Sequence, residues 1–339
     1  MGVRSTMSEP AVRILLADLP EAAAAAVRNL SAADGRWEVV GETRGIANIL
    51  ELAAERRPHV LLIDAAGAGG ELLPLVSDLQ SQSRVQIIVL SSDNGKSPIR
   101  VLKALCEGAA DVLALPQSAE EWMAFPQRLA ALLHDLLEGD DTESCITTGR
   151  RFDSASTPPA CVVVGASTRS FGELTNLLAT LEPPQPPLLI ALPLPTGFSD
   201  SAIEVLNSRS QLTVLSAEPH AVPQANHVYL ACGENHLMLR CWGSFGKLFL
   251  RGGEPVHGRR PAADVLFRSA AGVLGPRLLG VLLHGAGPDG IAGCRAVEAA
   301  GGMVMNAAHA RTLLAAQDSN AGGYAVQSAC IGKSRSALV

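Results

Sequence analysis

The sequence predicts an α/β protein with two doubly wound domains, each built on a mainly parallel sheet. Short aliphatic runs alternate with helix-like stretches of roughly 10–15 residues, and this alternation is typical of βαβ units. The alternation stops at a polar segment near the middle of the chain and then begins again. The chain has 339 residues, of which 47 % are hydrophobic, so it is long enough for two cores of ordinary size.

The first half contains five aliphatic runs that we expect to form strands. Helix-like stretches such as EAAAAAVRNL and IANILELAAERR separate them. We predict a first domain over residues 11–138 and a linker over 139–158, where Ser, Thr, Asp and Pro replace the aliphatic residues. The predicted strands are 12–18, 37–43, 59–64, 85–92 and 110–116.

A second domain is predicted over residues 159–335, where strand-like and helix-like stretches alternate again. Residues 227–241 and 247–252 have the pattern of a hairpin, so we expect an antiparallel insert there. The other predicted strands are 160–167, 187–195, 212–218, 277–287 and 302–306.

Composition and charge argue against several classes of partner. The formal net charge of −6 disfavours nucleic acid or an anionic membrane as the main partner. No apolar run approaches the length of about 18 residues that spans a membrane. The seven cysteines are odd in number and form no Cys-x-x-Cys pair. We therefore expect reduced thiols in a cytoplasm, and neither a disulfide framework nor a zinc site.

Polar residues follow several predicted strands, and chemistry in an open parallel sheet sits at the carboxyl ends of the strands. Asp18, Asp64 and Ser91 end strands in the first domain, and Ser167 and Asp289 follow strands in the second. Ser167 and Asp289 could therefore face one crevice. A serine hydroxyl is a poor nucleophile unless a base takes its proton. The residue that supplies this base decides what Ser167 can do.

A GxGxxG pattern lies between a predicted strand and a predicted helix at Gly285, Gly287 and Gly290. This pattern is typical of dinucleotide sites, in which an acid follows about 20 residues later. The next predicted strand ends at Asn306 with no acid near it. We therefore expect no nicotinamide cofactor, and Asp289 is the residue of this segment that can carry chemistry.

Residues 12–137, with polar side chains at three strand ends, resemble a response-regulator receiver domain. The resemblance implies that Asp64 is the phospho-acceptor, that Asp18 and Asp64 belong to an acidic group that holds Mg²⁺, and that Ser91 is the switch hydroxyl. A histidine kinase is an implied partner. Oxygen ligands on loops are the ligands that Mg²⁺ prefers.

Two positions of the first domain depart from the receiver pattern. Leu19 stands where the family has a second acid after the first strand, and Leu115 stands where it has a lysine before a proline. Losing the carboxylate weakens the hold on the metal, and losing the lysine removes a cation that would meet the phosphoryl oxygens. We therefore expect poor phosphorylation.

Residues 159–335 resemble the catalytic domain of the chemotaxis protein-glutamate methylesterases. The segments VVVGASTRS, LPLPTGF, VYLACGENHL, RRPAADVLFRSAA and LLHGAGPDG carry this resemblance by their order and spacing. The resemblance implies hydrolysis of glutamate methyl esters on a methyl-accepting chemoreceptor by acyl transfer to serine, with no cofactor in this domain. Ser167 is then the nucleophile and Asp289 the acid of a triad.

The histidine of that triad is missing at its expected position. Alignment of LPLPTGF with the family segment puts Pro193 at the histidine, and proline cannot accept a proton. Arg169 and Ser170 replace two glycines after the serine, where the backbone turn should approach closely. Ala286 replaces the methionine of the aspartate loop, where a backbone N–H can serve an oxyanion whatever the side chain.

Two hypotheses about function remain open. His284 ends the strand that leads to Asp289, so one hypothesis is a slow serine esterase with His284 as a substitute base. His284 could equally be a strand-end residue that caps backbone groups. The other hypothesis is a regulatory or docking protein of a chemosensory pathway that binds without catalysis. The losses in both domains favour the second.

Overall fold

The computed structural model of the chain describes residues 11–91, 98–137, 158–195, 197–242 and 245–315. The chain divides into two compact units, Met1–Glu138 and Gly139–Val339. Almost all of the predicted linker, and residues 316–335 of the predicted second domain, lie outside the described residues. The domain boundaries given by the sequence stay predictions.

The first unit is a five-stranded parallel sheet with helices between the strands. Its strand order is β2-β1-β3-β4-β5, which is the order of the flavodoxin-like doubly wound fold. The strands are β1 Val12–Ala17, β2 Trp37–Thr43, β3 Val60–Asp64, β4 Gln86–Ser91 and β5 Asp111–Ala114. The helices are α1 Glu21–Ala33, α2 Ile46–Arg56, α3 Ala65–Ala68, α4 Leu72–Gln82, α5 Pro98–Cys106 and α6 Ala119–Leu137.

The central strands of this sheet are buried on both faces. Val60–Asp64 is buried throughout because helices cover both sides, and this burial explains its continuous aliphatic run. One core cluster also takes in Leu19 and Leu115, each only 7 % exposed. The two leucines that replace polar family residues are therefore parts of the apolar core.

The second unit is a six-stranded parallel sheet with an antiparallel hairpin. The strand order is β13-β12-β6-β7-β9-β8, and β10 pairs with β11 alone. The strands are β6 Cys161–Gly165, β7 Leu188–Ala191, β8 Thr213–Ser216, β9 His227–Ala231, β10 His236–Trp242, β11 Phe245–Arg251, β12 Leu278–Leu282 and β13 Met303–Met305. The helices are α7 Phe171–Ala179, α8 Ser199–Arg209, α9 Ala263–Leu274, α10 Ile291–Ala299 and α11 Ala307–Ala315.

The two predicted α/β sheets are confirmed, and one strand assignment is corrected. We expected 227–241 to belong to the hairpin, but β9 pairs parallel with β7 and β8 inside the main sheet. Its residues after His227 are buried, as in a strand covered on both faces. The hairpin therefore begins only at His236. Among the helices of the described residues, none combines the length and apolar character needed to cross a membrane.

Candidate functional site

The turn after β6 places Ser167 at the carboxyl edge of the second sheet. Gly165, the last residue of β6, lies so close to α9 that a Cβ there would come within 2.6 Å of the Ala263 Cβ and 2.9 Å of Leu282 Cδ1. Only glycine allows this approach of helix and strand. Ser167 lies two residues later and is 2 % exposed. The nucleophile candidate is therefore enclosed.

The hydroxyl of Ser167 is engaged by main-chain and serine groups. Its Oγ donates to the backbone carbonyl of His284 at 3.1 Å, and it also lies 3.3 Å from the Ser170 Oγ. The Ser170 hydroxyl accepts from the Ser167 N–H at 2.8 Å. A backbone carbonyl accepts a hydrogen bond but does not remove a proton at neutral pH. This arrangement holds the hydroxyl without activating it.

Arg169 and Gly285 complete the enclosure of the serine. Gly285 has a φ of 73°, and a Cβ there would lie 2.7 Å from Ser167 Oγ and 2.9 Å from Arg169 Cβ. Arg259 Nη2 donates to the Gly285 carbonyl at 2.9 Å. A side chain at position 285 would therefore collide with both the Ser167 hydroxyl and the stem of Arg169.

Pro193 and His284, the two positions considered for a base, both have main-chain carbonyls that adjoin the serine turn. The Thr168 hydroxyl donates to the Pro193 carbonyl at 3.2 Å, so the main chain of Pro193 adjoins the serine turn. The His284 ring has Nδ1 3.0 Å from Glu173 Oε2, and its side chain is 55 % exposed. Glu173 Oε2 also accepts from the His284 N–H at 3.2 Å. The catalytic role suggested for His284 stays a prediction.

Asp289 caps the start of α9. It is 2 % exposed, and its two oxygens accept from the Ala263 N–H at 2.8 Å and the Asp264 N–H at 3.0 Å. The first N–H groups of a helix have no partner within the helix, so a carboxylate there is stabilising. Burial raises the pKa of the Asp289 carboxyl, and the hydrogen bonds and Arg259 oppose this rise. Ala263, which Asp289 holds, is the residue that packs on Gly165.

Asp264 caps the start of α10 in the same way, and it is a residue that the sequence patterns above did not identify. It is 1 % exposed, and its Oδ1 accepts from the Gly290 N–H at 3.1 Å and the Gly293 N–H at 2.6 Å. Two neighbouring aspartates therefore cap each other's helices. The available signal was an acid in the first turn of a predicted helix, which favours capping.

The three strand-end residues of the first unit also gather at one edge, because β1, β3 and β4 are neighbours. Asp64 Oδ2 accepts from the Gly67 N–H at 3.1 Å, while the buried Oδ1 has no hydrogen-bond partner among the described residues. Burial raises the pKa of the Asp64 carboxyl, the Ala66 and Gly67 N–H groups oppose this rise, and the negative charge of Asp18 adds to it. Asp18 Oδ1 accepts from the Gly45 N–H at 3.2 Å. Ser91 is buried.

The donor set at this edge supplies two of the three carboxylates that the receiver resemblance implies for Mg²⁺. Mg²⁺ demands nearly octahedral oxygen coordination. Asp18 and Asp64 offer carboxylates, but Leu19, at the position of the third acid, is packed in the core. Within the described part of the chain, no three His, Cys, Asp or Glu side chains are grouped for a metal. The unpaired Asp64 Oδ1 marks an incomplete site.

The geometry defines a two-unit α/β chain, with an acidic strand edge in the first unit and a buried strand-end serine in the second. Residues 162–317 match the family model for the CheB methylesterase. A protein-glutamate methylesterase/protein-glutamine glutaminase 5 of Myxococcus xanthus is 32 % identical over 310 residues, which are 87 % of each chain. A protein-glutamate methylesterase/protein-glutamine glutaminase of Photorhabdus laumondii is 30 % identical over 261 residues, 75 % of each chain. This chain belongs to the chemotaxis protein-glutamate methylesterase family.

Two solved structures from Thermotoga maritima are similar to parts of the chain. The CheB methylesterase catalytic domain is 30 % identical, covers 44 % of this chain and 79 % of its own, and has a TM-score of 0.39. The CheB response regulator domain is 17 % identical, covers 39 % of this chain and 99 % of its own, and has a TM-score of 0.34.

Proposed function

We propose that this chain is a cytoplasmic chemosensory signal-transduction protein whose methylesterase-like unit has little or no esterase activity. A single observation carries the proposal: the Ser167 hydroxyl donates to the main-chain carbonyl of His284, while a proline occupies the position of the base. In acyl transfer the hydroxyl proton goes to a base as the oxygen attacks the ester carbonyl, and the same base returns a proton to the departing methanol. Pro193 can perform neither transfer.

The enclosure of the serine supports the same conclusion. An ester carbonyl must come within about 3–3.5 Å of the attacking oxygen, but Ser167 is 2 % exposed. Arg169, where the family has glycine, packs beside Gly285, next to the Ser167 hydroxyl.

The first unit supports a regulatory role without efficient phosphorylation. Asp64 is the proposed phospho-acceptor, with Ser91 as switch hydroxyl, but the acid and the lysine of the receiver pattern are the core residues Leu19 and Leu115. The proposed partner is a methyl-accepting chemoreceptor, which the chain binds without hydrolysing its esters. A histidine kinase would be a partner only if Asp64 is phosphorylated.

A second candidate function is a slow esterase that uses His284. The observation in its favour is the carboxylate–imidazole pair formed by Glu173 and His284, on the residue whose carbonyl accepts from Ser167. A carboxylate that orients an imidazole beside a serine is the arrangement of a hydrolytic triad. This candidate requires the other ring nitrogen, Nε2, to take the proton of Ser167.

The test is methanol release from a methylated chemoreceptor by the full chain and its variants. Wild type should match Ser167→Ala, because a triad that lacks its base retains a rate only about 10³–10⁴-fold above the uncatalysed reaction in water. Pro193→His combined with Arg169→Gly should raise the rate at least tenfold, and Ser167→Ala should abolish that gain. The recovery should be partial, since Asp289 already accepts from two main-chain N–H groups.

Two outcomes would contradict the proposal. A wild type with an ordinary esterase rate that Ser167→Ala removes would show an active site. If His284→Ala or Glu173→Gln removed that rate as well, the second candidate would be correct.

A further inference from the structure

The outward face of the β10–β11 hairpin carries exposed rings and cations. In this antiparallel pair Leu239 lies opposite Leu248, and Arg240 lies opposite Lys247. Successive residues of a strand point to opposite faces. Leu239 and Leu248 are fully buried in the core of the second unit. Their neighbours Arg240 and Lys247 are therefore on the outward face.

Three rings form a ring cluster on this face: His220, Trp242 and Phe249. The ring centroids of His220 and Phe249 are 5.1 Å apart, and those of Trp242 and Phe249 are 6.3 Å apart. These separations fall within the range of favourable aromatic pairs. Trp242 is 61 % exposed, so the largest apolar surface of the cluster is in solvent.

Backbone hydrogen bonds hold His220 in an unfavourable backbone conformation and so fix the position of its ring. His220 has a φ of 67°, a left-handed conformation that is uncommon for residues other than glycine. Its N–H donates to the Leu248 carbonyl at 2.7 Å, and the Leu248 N–H donates to the Ala221 carbonyl at 2.9 Å. These bonds attach the segment to the edge of β11. The ring cluster is therefore built on paired backbone.

Two cations lie on the faces of these rings. The Arg240 guanidinium carbon is 5.6 Å from the Phe249 centroid, and the Lys247 ammonium is 5.7 Å from the Trp242 centroid. Both separations are those of cation–π contacts. A guanidinium stacked on a ring keeps its N–H edge available for a carboxylate. Arg251 adds a third cation, and none of the described outward positions of the hairpin is Asp or Glu.

We propose that the ring cluster, with Arg240 and Lys247, is a docking surface for an acidic, glutamate-bearing helix of a partner protein. The inference rests on the proposed chemosensory function, in which the partner is a protein that carries glutamate and glutamate esters. Tryptophan and arginine are the residues that most often dominate binding energy at protein interfaces. On a chain of net charge −6, a local cationic surface selects where an acidic partner binds.

The docking surface lies away from the serine edge of the same unit. The other end of β10 adjoins the start of α9, since His236 Nδ1 accepts from the Ala262 N–H at 3.2 Å. From His236 the strand runs to Trp242, a span of about 20 Å at roughly 3.3 Å per residue. Binding at the ring cluster therefore requires neither an open Ser167 nor its chemistry.

The test is a titration of a labelled helical peptide with the full chain, followed by fluorescence anisotropy. The probe is a 20-residue peptide in which glutamates recur every third or fourth residue among leucines and alanines, and its counterpart has glutamine at every glutamate. Arg240→Ala/Lys247→Ala and Trp242→Ala should each weaken binding of the acidic peptide at least tenfold, while Arg240→Lys/Lys247→Arg retains most of it. Arg56→Ala/Arg57→Ala removes the same charge from α2 and its C-terminal end and should change binding less than twofold.

Three results would overturn the proposal: equal binding of the glutamine peptide, equal weakening by the α2 control, or tighter binding of a thymidine oligonucleotide or of phosphatidylglycerol vesicles. Stacked rings with cations can hold bases, so the oligonucleotide is the sharpest competitor. The titration contains no ester and no catalytic step. Failure of docking is thus distinguished from failure of the proposed function, which the methanol assay measures.

Discussion

Asp64 and Asp289 look alike in the sequence and differ in the structure. Each lies between a parallel strand and the helix that follows, each is almost fully buried, and burial raises the pKa of both carboxyls. Asp289 has both oxygens on main-chain N–H groups of α9. Asp64 has one oxygen on Gly67 and one buried oxygen without a hydrogen-bond partner among the described residues.

Both sites depart from the family pattern, but their buried carboxylates differ in how many of their oxygens accept hydrogen bonds, and therefore in their effect on stability. Asp289 stabilises the fold, because it satisfies donors that would otherwise be buried and unpaired. Asp64 opposes folding at neutral pH, because a buried carboxylate short of partners favours its protonated form. A raised pKa thus accompanies a structural role in one unit and an incomplete site in the other.

The largest effect is expected from Asp289→Ala, which leaves the Ala263 and Asp264 N–H groups buried without acceptors. Each buried, unsatisfied donor costs about 1–3 kcal/mol, so the second unit should lose roughly 2–6 kcal/mol of unfolding free energy. Urea unfolding of the full chain measures the loss, and hydrogen exchange at Ala263 and Asp264 locates it. Asp200→Ala, an exposed acid in the first turn of α8, is the matched control. A loss of unfolding free energy no larger than that of the control would contradict the stabilising role of Asp289.

The reciprocal caps predict that Asp264→Ala and Asp289→Ala are coupled. Each aspartate holds the helix that positions the other, so losing one should remove part of what the second contributes. The double variant should be less destabilised than the sum of the single variants by about 0.5–3 kcal/mol. Additive losses in the same unfolding measurements would mean that the two caps act independently.

Asp64→Asn is expected to raise the unfolding free energy of the first unit, by less than Asp289→Ala lowers that of the second unit. The raised pKa means that ionisation in the folded state is penalised, so stability falls as the pH rises from about 4, the ordinary carboxyl pKa, through the folded pKa. Asparagine removes this penalty and still accepts from Gly67, so the first unit should gain on the order of 1 kcal/mol at pH 7 and nothing below pH 4. Thermal unfolding at both pH values, with Asp78→Asn as an exposed control, measures the gain. A loss at pH 7 would show that the carboxylate is stabilised by its surroundings.

The smallest signal is expected from phosphorylation of Asp64. Acetyl phosphate with Mg²⁺ should label the chain far below one phosphoryl group per molecule, because Leu19 and Leu115 supply neither carboxylate nor cation. Mass spectrometry of the intact protein measures the labelling, with Asp64→Ala as the background. Stoichiometric labelling that disappears in Asp64→Ala would restore the first unit to a working receiver.

Several features of the fold and site could be predicted from the sequence. The strands of both parallel sheets follow from continuous aliphatic runs, because strands covered on both faces need apolar side chains on both. The sequence pattern of β9 does not distinguish a strand of the main sheet from a strand of the hairpin, because short apolar runs are similar in both settings. The absence of a base at position 193 also follows from the sequence, since proline has no side-chain group that accepts a proton.

Only the tertiary structure decided what each polar atom contacts. The Ser167 hydroxyl meets a carbonyl 117 residues away, and Asp289 meets an N–H 26 residues away. The sequence shows that Asp264 lies at the start of α9. It does not show that Asp264 caps α10 while Asp289 caps α9. Strand formation depends on a local pattern of apolar residues, whereas a hydrogen bond depends on placing two distant segments within a few tenths of an ångström. For this reason the sequence by itself determined the family, the sheets and the missing histidine, and packing decided which carboxylate supports the fold and which is left without a partner.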